Sequence, residues 1–148
     1  MDTENAVLIT GGCGVVGQQV AHAICRRHPE LPLIIAGRNP AKAEALAREL
    51  TNADTAKLDT GQLSPLGGLR PRAILAAVND PHDYLLMDTI LTGIPYVDIT
   101  RWTERVRGAV SLAGRKPLSA PIMLSSGWMA GVASVVAVAL SRQLDGAR

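Results

Sequence analysis

Short apolar runs alternate with amphipathic or polar segments along most of this chain. An apolar run of roughly four to eight residues has the length of a buried strand, and apolar residues that recur every three or four positions indicate a helix. The predicted strands cover residues 6–9, 33–36, 55–58, 73–78, 96–99 and 122–125. Because helical segments separate these runs, we expect a parallel sheet with helices on both faces.

The predicted helices follow the strands at residues 15–27, 40–50, 81–91, 103–112 and 132–144. Asn39 is the expected N-cap of the second helix, with Pro40 at its first helical position. Asp80 and Pro81 are the corresponding pair for the third helix, which Gly93 is expected to end. Residues 61–71, between the third and fourth strands, form a loop rich in Gly and Pro.

The composition is that of one globular domain. The chain has 148 residues, of which 47% are apolar and 19% charged, enough to bury a single core. A net charge of +2 and few aromatic residues argue against a nucleic-acid partner. The polar N-terminus is not a signal peptide, and the apolar run at 132–140 is too short to span a membrane. The cysteines and histidines show no metal spacing, so we expect no metal and a cytoplasmic setting.

A glycine cluster follows the first strand directly, in the sequence Thr10-Gly-Gly-Cys-Gly-Val-Val-Gly17. Its glycines have the spacing of a dinucleotide-binding turn that opens a helix. Gly12 is expected to permit the tight turn, Gly14 to let the backbone approach a diphosphate, and Gly17 to let the helix pack closely on the strand. The amides at the helix start favour negative charge there. The predicted cofactor contacts in this turn are Gly12, Cys13, Gly14, Val15, Val16 and Gly17.

This turn, placed in an alternating pattern of strands and helices, predicts a doubly wound α/β fold. We expect a three-layer Rossmann fold with a six-stranded parallel sheet in the order 3-2-1-4-5-6. Residues 1–148 are then a single dinucleotide-binding domain.

The tip of the second strand indicates which dinucleotide is bound. An acidic residue at this position accepts hydrogen bonds from the free ribose hydroxyl of NAD. This chain instead has Gly37, Arg38 and Asn39, with Lys42 one turn into the next helix. A guanidinium binds a 2′-phosphate through two charge-assisted hydrogen bonds, and Gly37 leaves room for that group. The predicted cofactor contacts here are Gly37, Arg38 and Asn39, the last of which contacts the phosphate as well as capping the helix. We therefore predict NADP in preference to NAD, the alternative being that Arg38 is a solvated loop residue.

Further candidate contacts follow the third and fourth strands. Asp59 either reaches the adenine amino group or initiates the turn before Thr60 and Gly61. At the end of the fourth strand, Asn79 either contacts the nicotinamide ribose or helps to cap the following helix. The predicted cofactor contacts in these segments are Asp59, Ala77, Val78 and Asn79.

Four segments resemble the saccharopine dehydrogenase-like oxidoreductases. They are residues 10–17, residues 36–46 (Ala-Gly-Arg-Asn-Pro-Ala-Lys-Ala-Glu-Ala-Leu), residues 93–100 (Gly-Ile-Pro-Tyr-Val-Asp-Ile-Thr) and residues 126–131 (Ser-Gly-Trp-Met-Ala-Gly). The resemblance covers nearly the whole chain, as the family's N-terminal cofactor domain. It implies a nicotinamide-dependent oxidoreductase whose second domain, absent from this chain, supplies much of the pocket for a small substrate. The chain is then either a piece of a longer protein or a natural stand-alone unit.

The expected substrate rim lies at the carboxyl ends of the strands, where ligands bind in open α/β sheets. Asp98 has an alternative interpretation as a strand-end residue bonded to a neighbouring loop, and Trp102 as a residue packed under the next helix. Trp128 either shields the nicotinamide or covers a domain interface. The candidate substrate residues are Asp98, Thr100, Trp102 and Trp128, and no catalytic residue is assigned.

Two functional classes remain open. The first is the cofactor half of an NADP-dependent oxidoreductase, and the second is a non-catalytic NADP(H)-binding sensor or docking module. The glycine turn also fits the short-chain dehydrogenases, but these need a Lys four residues after a Tyr. Here Asp88 and Thr100 follow Tyr84 and Tyr96 at that spacing, which excludes their chemistry. A weak homodimer through the last helix and Trp128 is expected if an apolar surface there is uncovered.

Overall fold

The structure, a computed structural model, describes residues 3–115 and 117–124. Within these residues six parallel strands form one sheet in the order β3-β2-β1-β4-β5-β6. This arrangement confirms the predicted fold class and strand order. The strands are β1 Val7–Thr10, β2 Leu33–Gly37, β3 Ala53–Lys57, β4 Ala73–Ala76, β5 Tyr96–Asp98 and β6 Ile122–Leu124.

Four α-helices connect the strands in the described part of the chain, after a short 3-10 turn at Thr3–Asn5. They are α1 Val15–Arg27, α2 Pro40–Glu49, α3 Tyr84–Thr92 and α4 Thr103–Ala113. Asn39 caps α2 as expected, since its side-chain oxygen accepts a hydrogen bond from the amide of Ala41 (3.1 Å). The helix expected at 132–144 lies outside the described residues.

The predicted start of the third helix is wrong. Helix α3 begins at Tyr84, after an N-cap residue, Asp83, whose φ of 60° is left-handed. Asp80 is instead buried, and its carboxylate accepts a hydrogen bond from the amide of Leu86 (3.1 Å). Leu86 is the third residue of α3, so the Asp80 carboxylate still caps the first helical turn, from three residues before the N-cap. Gly93 ends the helix with a φ of 68°, as predicted.

The core lies on both faces of the sheet. Leu8 and Ile9 are neighbours in β1 and both fully buried, yet they belong to different apolar clusters. Leu8 packs in the cluster that contains Leu85 of α3, whereas Ile9 packs in the one that contains Ala21 of α1. Burial on both faces is the pattern expected of parallel strands. Among the described residues, no helix has the length and apolar content needed to cross a bilayer.

The turn between β1 and α1 depends on very close backbone packing. The left-handed residue is Gly11, with φ of 69°, so the tight turn predicted at Gly12 is one residue earlier. Gly12 serves a different purpose, because a Cβ there would lie 2.6 Å from Cγ2 of Ile35. At Gly17 a Cβ would overlap the carbonyl oxygen of Gly11 and lie 2.7 Å from Cα of Gly12. Gly17 thus lets α1 approach the turn, as its spacing predicted.

Gly11→Ala is expected to lower the free energy of unfolding by about 2–4 kcal/mol. The alanine would have to adopt a left-handed backbone conformation, and its Cβ would lie 2.7 Å from Cβ of Val78. The matched control is Gly108→Ala in α4, where a Cβ meets nothing within 4 Å. This control should gain up to about 1 kcal/mol from helix propensity. Urea unfolding measures both changes, and equal stabilities of the two variants would contradict the turn geometry.

Candidate functional site

An open groove runs along the carboxyl edge of the sheet, with a volume of about 550 Å³. Parallel register brings the strand ends to this edge, since Thr10 lies opposite both Ala36 and Ala76. We call it the carboxyl-edge groove. Its lining residues are Gly11, Cys13, Gly14, Ala36, Gly37, Arg38, Asn39, Lys42, Leu58, Asp59, Thr60, Gly61, Ala77, Val78, Asn79 and Pro81.

The structure brings most of the predicted cofactor residues together in this groove. Those that line it are Cys13, Gly14, Gly37, Arg38, Asn39, Asp59, Ala77, Val78 and Asn79. Gly12 and Gly17 do not line it, because they are buried where the turn packs on β2 and α1. Val15 and Val16 occupy the first turn of α1, where Val15 has 83% of its surface exposed.

Sequence reasoning missed several lining residues. Gly11, Thr60, Gly61 and Pro81 are each within two residues of a residue that was predicted. The doubled glycine at 11–12 is a signal that could have identified Gly11, because left-handed backbone favours glycine. Leu58 and Ala36 are apolar strand-end residues, and no chemical signal in the sequence marks them as groove residues.

The start of α1 presents main-chain donors at one wall of the groove. Gly14 is the N-cap, and no side chain caps the helix. The first amides of a helix have no acceptor within the helix, so those that follow Gly14 lack an intrahelical partner, although Val15, Val16 and Gly17 do not themselves line the groove. The helix dipole adds a positive potential at this end. These features fit a bound anion such as a diphosphate.

The tip of β2 presents two positive charges to the groove. Arg38 and Lys42 are both exposed and line it. Neither forms an ion pair with any residue in 3–115 or 117–124. Beside them Gly37 faces open space, because a Cβ there meets nothing within 4 Å. Two cations beside an open volume have the chemistry that a phosphate group requires.

The opposite wall is held by hydrogen bonds between strand ends. Oδ1 of Asp59 accepts from the amide of Gly61 (3.0 Å), which confirms the turn that was one of its two interpretations. Thr60 Oγ1 donates to the carbonyl oxygen of Asn79 (2.9 Å), joining the end of β3 to the end of β4. Asn79 does not cap α3, which begins five residues later at Tyr84.

Behind this wall lies an ion-pair network that sequence reasoning missed. Arg101, only 4% exposed, lies 2.8 Å from Oδ2 of Asp98 and donates to Oδ1 of Asp83 (2.5 Å). Arg105 donates to the same Asp83 oxygen (2.6 Å). In the sequence Arg101 and Arg105 lie 18 and 22 residues after Asp83, so no local spacing predicts these contacts. Buried charges require such pairing, since an isolated one is strongly disfavoured.

Of the candidate substrate residues, Asp98 does not lie on an exposed rim. Asp98 is completely buried and accepts hydrogen bonds from the amide and hydroxyl of Thr100 (both 2.8 Å). These contacts match its alternative interpretation as a strand-end residue bonded to a neighbouring loop. Trp102 is the N-cap of α4 and 69% exposed, so it is not packed beneath the helix. Trp128 lies outside the described residues.

The fold matches solved structures of oxidoreductases. The apo form of saccharopine dehydrogenase (L-Glu forming) from Saccharomyces cerevisiae superposes with a TM-score of 0.69 at 21% identity, over 97% of this chain. An NADPH-dependent quinone oxidoreductase from Escherichia coli gives a TM-score of 0.57 at 20% identity, over 80% of this chain. This chain covers 32% of the first protein's chain and 46% of the second's. No family model and no curated protein matches its sequence.

The chain has a Rossmann-type fold. The resemblance noted in the sequence is thus confirmed at the level of the fold, which is similar to part of a saccharopine dehydrogenase. In this Rossmann-type sheet the carboxyl-edge groove lies beside β1, where the chain order reverses between β2 and β4. Ligands of open α/β sheets bind at such a switch point.

Burial raises the pKa of two groups behind the groove. Burial, and to a smaller extent the charge of Asp83, raises the pKa of Asp80, against the hydrogen bond from Leu86 and the charge of Arg101. Burial is also the main cause that raises the pKa of Tyr96, with the neighbouring carboxylate of Asp98 second. The Tyr96 hydroxyl donates to Oδ2 of Asp98 (3.1 Å). A tyrosinate beside that carboxylate would place two negative charges in the core, so Tyr96 stays neutral.

Tyr96 predicts a specific loss of stability at alkaline pH. An unfolded tyrosine ionises near about pH 10, whereas the folded Tyr96 resists ionisation. Above that pH the unfolded state binds fewer protons than the folded state, so the free energy of unfolding falls, by up to about 1.4 kcal/mol per pH unit.

Urea unfolding from about pH 8 to about pH 12 tests this assignment. Tyr96→Phe should show a shallower alkaline decline than the wild type. Tyr84→Phe, which leaves the buried hydroxyl in place, should keep the wild-type decline. An unchanged decline in Tyr96→Phe would show that this hydroxyl is not the group responsible.

Proposed function

We propose that the carboxyl-edge groove binds NADP(H) and that this chain is the cofactor-binding domain of a saccharopine dehydrogenase-like oxidoreductase. The observation that carries the proposal is that Arg38 and Lys42, which form no ion pair with the described residues, line the same groove as Gly14, the N-cap of α1. A dinucleotide with an additional phosphate has anionic groups suited to both positions. The residues present therefore fit the cofactor.

The diphosphate is assigned to the glycine turn. Its negative charge matches the unpaired amides and dipole of α1. Gly14 is exposed at this wall, so its backbone is accessible to a ligand without a side chain in the way. The volume of about 550 Å³ is in the range of small-molecule sites.

The 2′-phosphate is assigned to the tip of β2. Arg38 offers a planar fork of donors, and Lys42 adds a second charge from the first turn of α2. The open space at Gly37 accommodates the phosphate. No carboxylate occupies the end of β2, where NAD-binding folds place an acidic residue for the ribose hydroxyls. This arrangement favours NADP over NAD.

The nicotinamide half is assigned to the end of β4, at Ala77, Val78 and Asn79. When bound, the nicotinamide supplies hydride chemistry, while the protein binds it and excludes competing reactions. The two solved structures described above are a dehydrogenase and a quinone oxidoreductase by name. We infer that a further part of the parent protein supplies the pocket for a small substrate.

Arg38→Ala should weaken NADPH binding at least about tenfold, because two charge-assisted hydrogen bonds to the 2′-phosphate are lost. NADH binding should change little, since NADH has no phosphate at that position. Calorimetric titration of the wild type and the variant with both cofactors measures the four affinities.

The matched control is Arg48→Ala, which removes an exposed arginine from α2 that pairs with Glu44 (3.3 Å) and does not line the groove. It should leave both affinities unchanged. Equal affinity of the wild type for NADPH and NADH would refute the assigned preference, and binding of neither cofactor would refute the proposed function.

A further inference from the structure

We propose that Arg105 is a positioning residue that fixes the side-chain amide of Asn79, so that its NH₂ group donates to an oxygen on the nicotinamide half of the cofactor. This inference rests on the proposed function, because it takes NADP(H) as the occupant of the groove. It adds a residue from α4, which does not line the groove, to the determinants of binding.

Arg105 is held by three acceptors at once. Its Nη1 donates to Oδ1 of Asn79 (2.8 Å). Its Nη2 donates to the carbonyl oxygen of Asp80 (2.5 Å) and to Oδ1 of Asp83 (2.6 Å). A guanidinium with several fixed partners loses its rotational freedom on folding rather than on ligand binding.

The contact with Arg105 determines which way the Asn79 amide faces. Arginine only donates hydrogen bonds, so the atom of Asn79 that it contacts must be the oxygen. The NH₂ group is then the free end, and it forms no hydrogen bond with the described residues. Because Asn79 is exposed and lines the groove, this donor is available to a ligand there.

The backbone of Asn79 is fixed as well. Thr60 donates to its carbonyl oxygen across the groove wall, so main chain and side chain are both restrained. A restrained donor binds an acceptor with a smaller entropy loss than a mobile one. The acceptor chemistry is that of an oxygen, such as a ribose hydroxyl beside Ala77 and Val78.

The charged contacts that hold Arg105 in place continue into the core. Asp83 receives both Arg105 and the buried Arg101, and Arg101 in turn pairs with Asp98 at the end of β5. This arrangement keeps the Asp83 carboxylate in place, with its backbone in a left-handed conformation at φ of 60°. The position of the Asn79 amide is therefore coupled to the end of β5 through charged contacts.

The test measures NADPH and adenosine 2′,5′-bisphosphate affinities for the wild type, Arg105→Met, Asn79→Ala and the double variant. Arg105→Met should weaken NADPH binding about three- to tenfold, the size of one hydrogen bond. Adenosine 2′,5′-bisphosphate, which has no nicotinamide half, should bind all four proteins equally. The double variant should bind NADPH as Asn79→Ala does, since Arg105 acts through Asn79.

The matched control is Arg107→Met, which removes an exposed arginine from the same helix and should bind both ligands as the wild type does.

Several results would overturn the inference. The first is an unchanged NADPH affinity in Arg105→Met or in Asn79→Ala. The second is a double variant in which the losses of NADPH affinity of the two single variants multiply. The third is a loss of affinity for adenosine 2′,5′-bisphosphate equal to the loss for NADPH. The last result would indicate a general structural effect. If the wild type binds the bisphosphate and NADPH, failure of this inference leaves the proposed function intact, whereas binding of neither ligand refutes both.

A second measurement requires no variant and so covers the case that Arg105→Met does not fold. The side-chain amide proton resonances of Asn79 in the wild-type chain should shift when NADPH is added. They should stay in place when adenosine 2′,5′-bisphosphate is added. Resonances that do not respond to NADPH would overturn the inference.

Discussion

The close approach of helix α1 to the end of strand β1 is the constraint on which the site depends. Gly17 lies against the carbonyl oxygen of Gly11, and Gly12 lies against the side chain of Ile35. Only residues without a Cβ allow this spacing, so the start of α1 is held directly over the carboxyl edge. Gly14, the N-cap of α1, thereby lines the groove that the ends of β2, β3 and β4 complete. A wider turn would separate the start of α1 from the cations at the end of β2.

The distribution of charge around the groove favours an anionic ligand. Arg38 and Lys42 line it without ion-pair partners in the described residues, so their charge is available to a ligand. The carboxylates of Asp80 and Asp98, by contrast, are buried away from it. Arg101 lies between them and offsets part of their negative charge. Asp59, at the end of β3, does line the groove, so the charged lining residues described are two cations and one carboxylate.

Sequence reasoning identified the fold because the fold depends on local patterns. Strands β1 and β2 are continuous apolar runs, and the glycine spacing at 12, 14 and 17 reports contacts within one turn. In most strands the observed boundaries differ from the predicted ones by no more than two residues. The third strand, for example, was predicted at 55–58, but its pairing with β2 begins at Ala53. The predicted start of α3 at residue 81 was wrong because residues 81–83 form a turn, although Asp80 does cap the first turn of the helix through the amide of Leu86.

The part of the candidate site that consists of strand ends could be predicted from the sequence. The part that consists of long-range ion pairs could not. Arg38 follows a strand directly, so its place in the groove could be inferred from position alone. Arg101 and Arg105 contact Asp83 across 18 and 22 residues of sequence, and a single sequence carries no signal for such a pairing. The burial of Asp98 belongs to the same network and was therefore left open between two interpretations.

The most direct test of the account is a crystal structure of the chain with NADPH bound. The account predicts that the diphosphate oxygens accept hydrogen bonds from the main-chain amides at the start of α1, at about 2.7–3.2 Å. It also predicts that the 2′-phosphate lies between Arg38 and Lys42. A cofactor bound with its diphosphate away from the glycine turn, or its adenosine ribose away from the tip of β2, would contradict it.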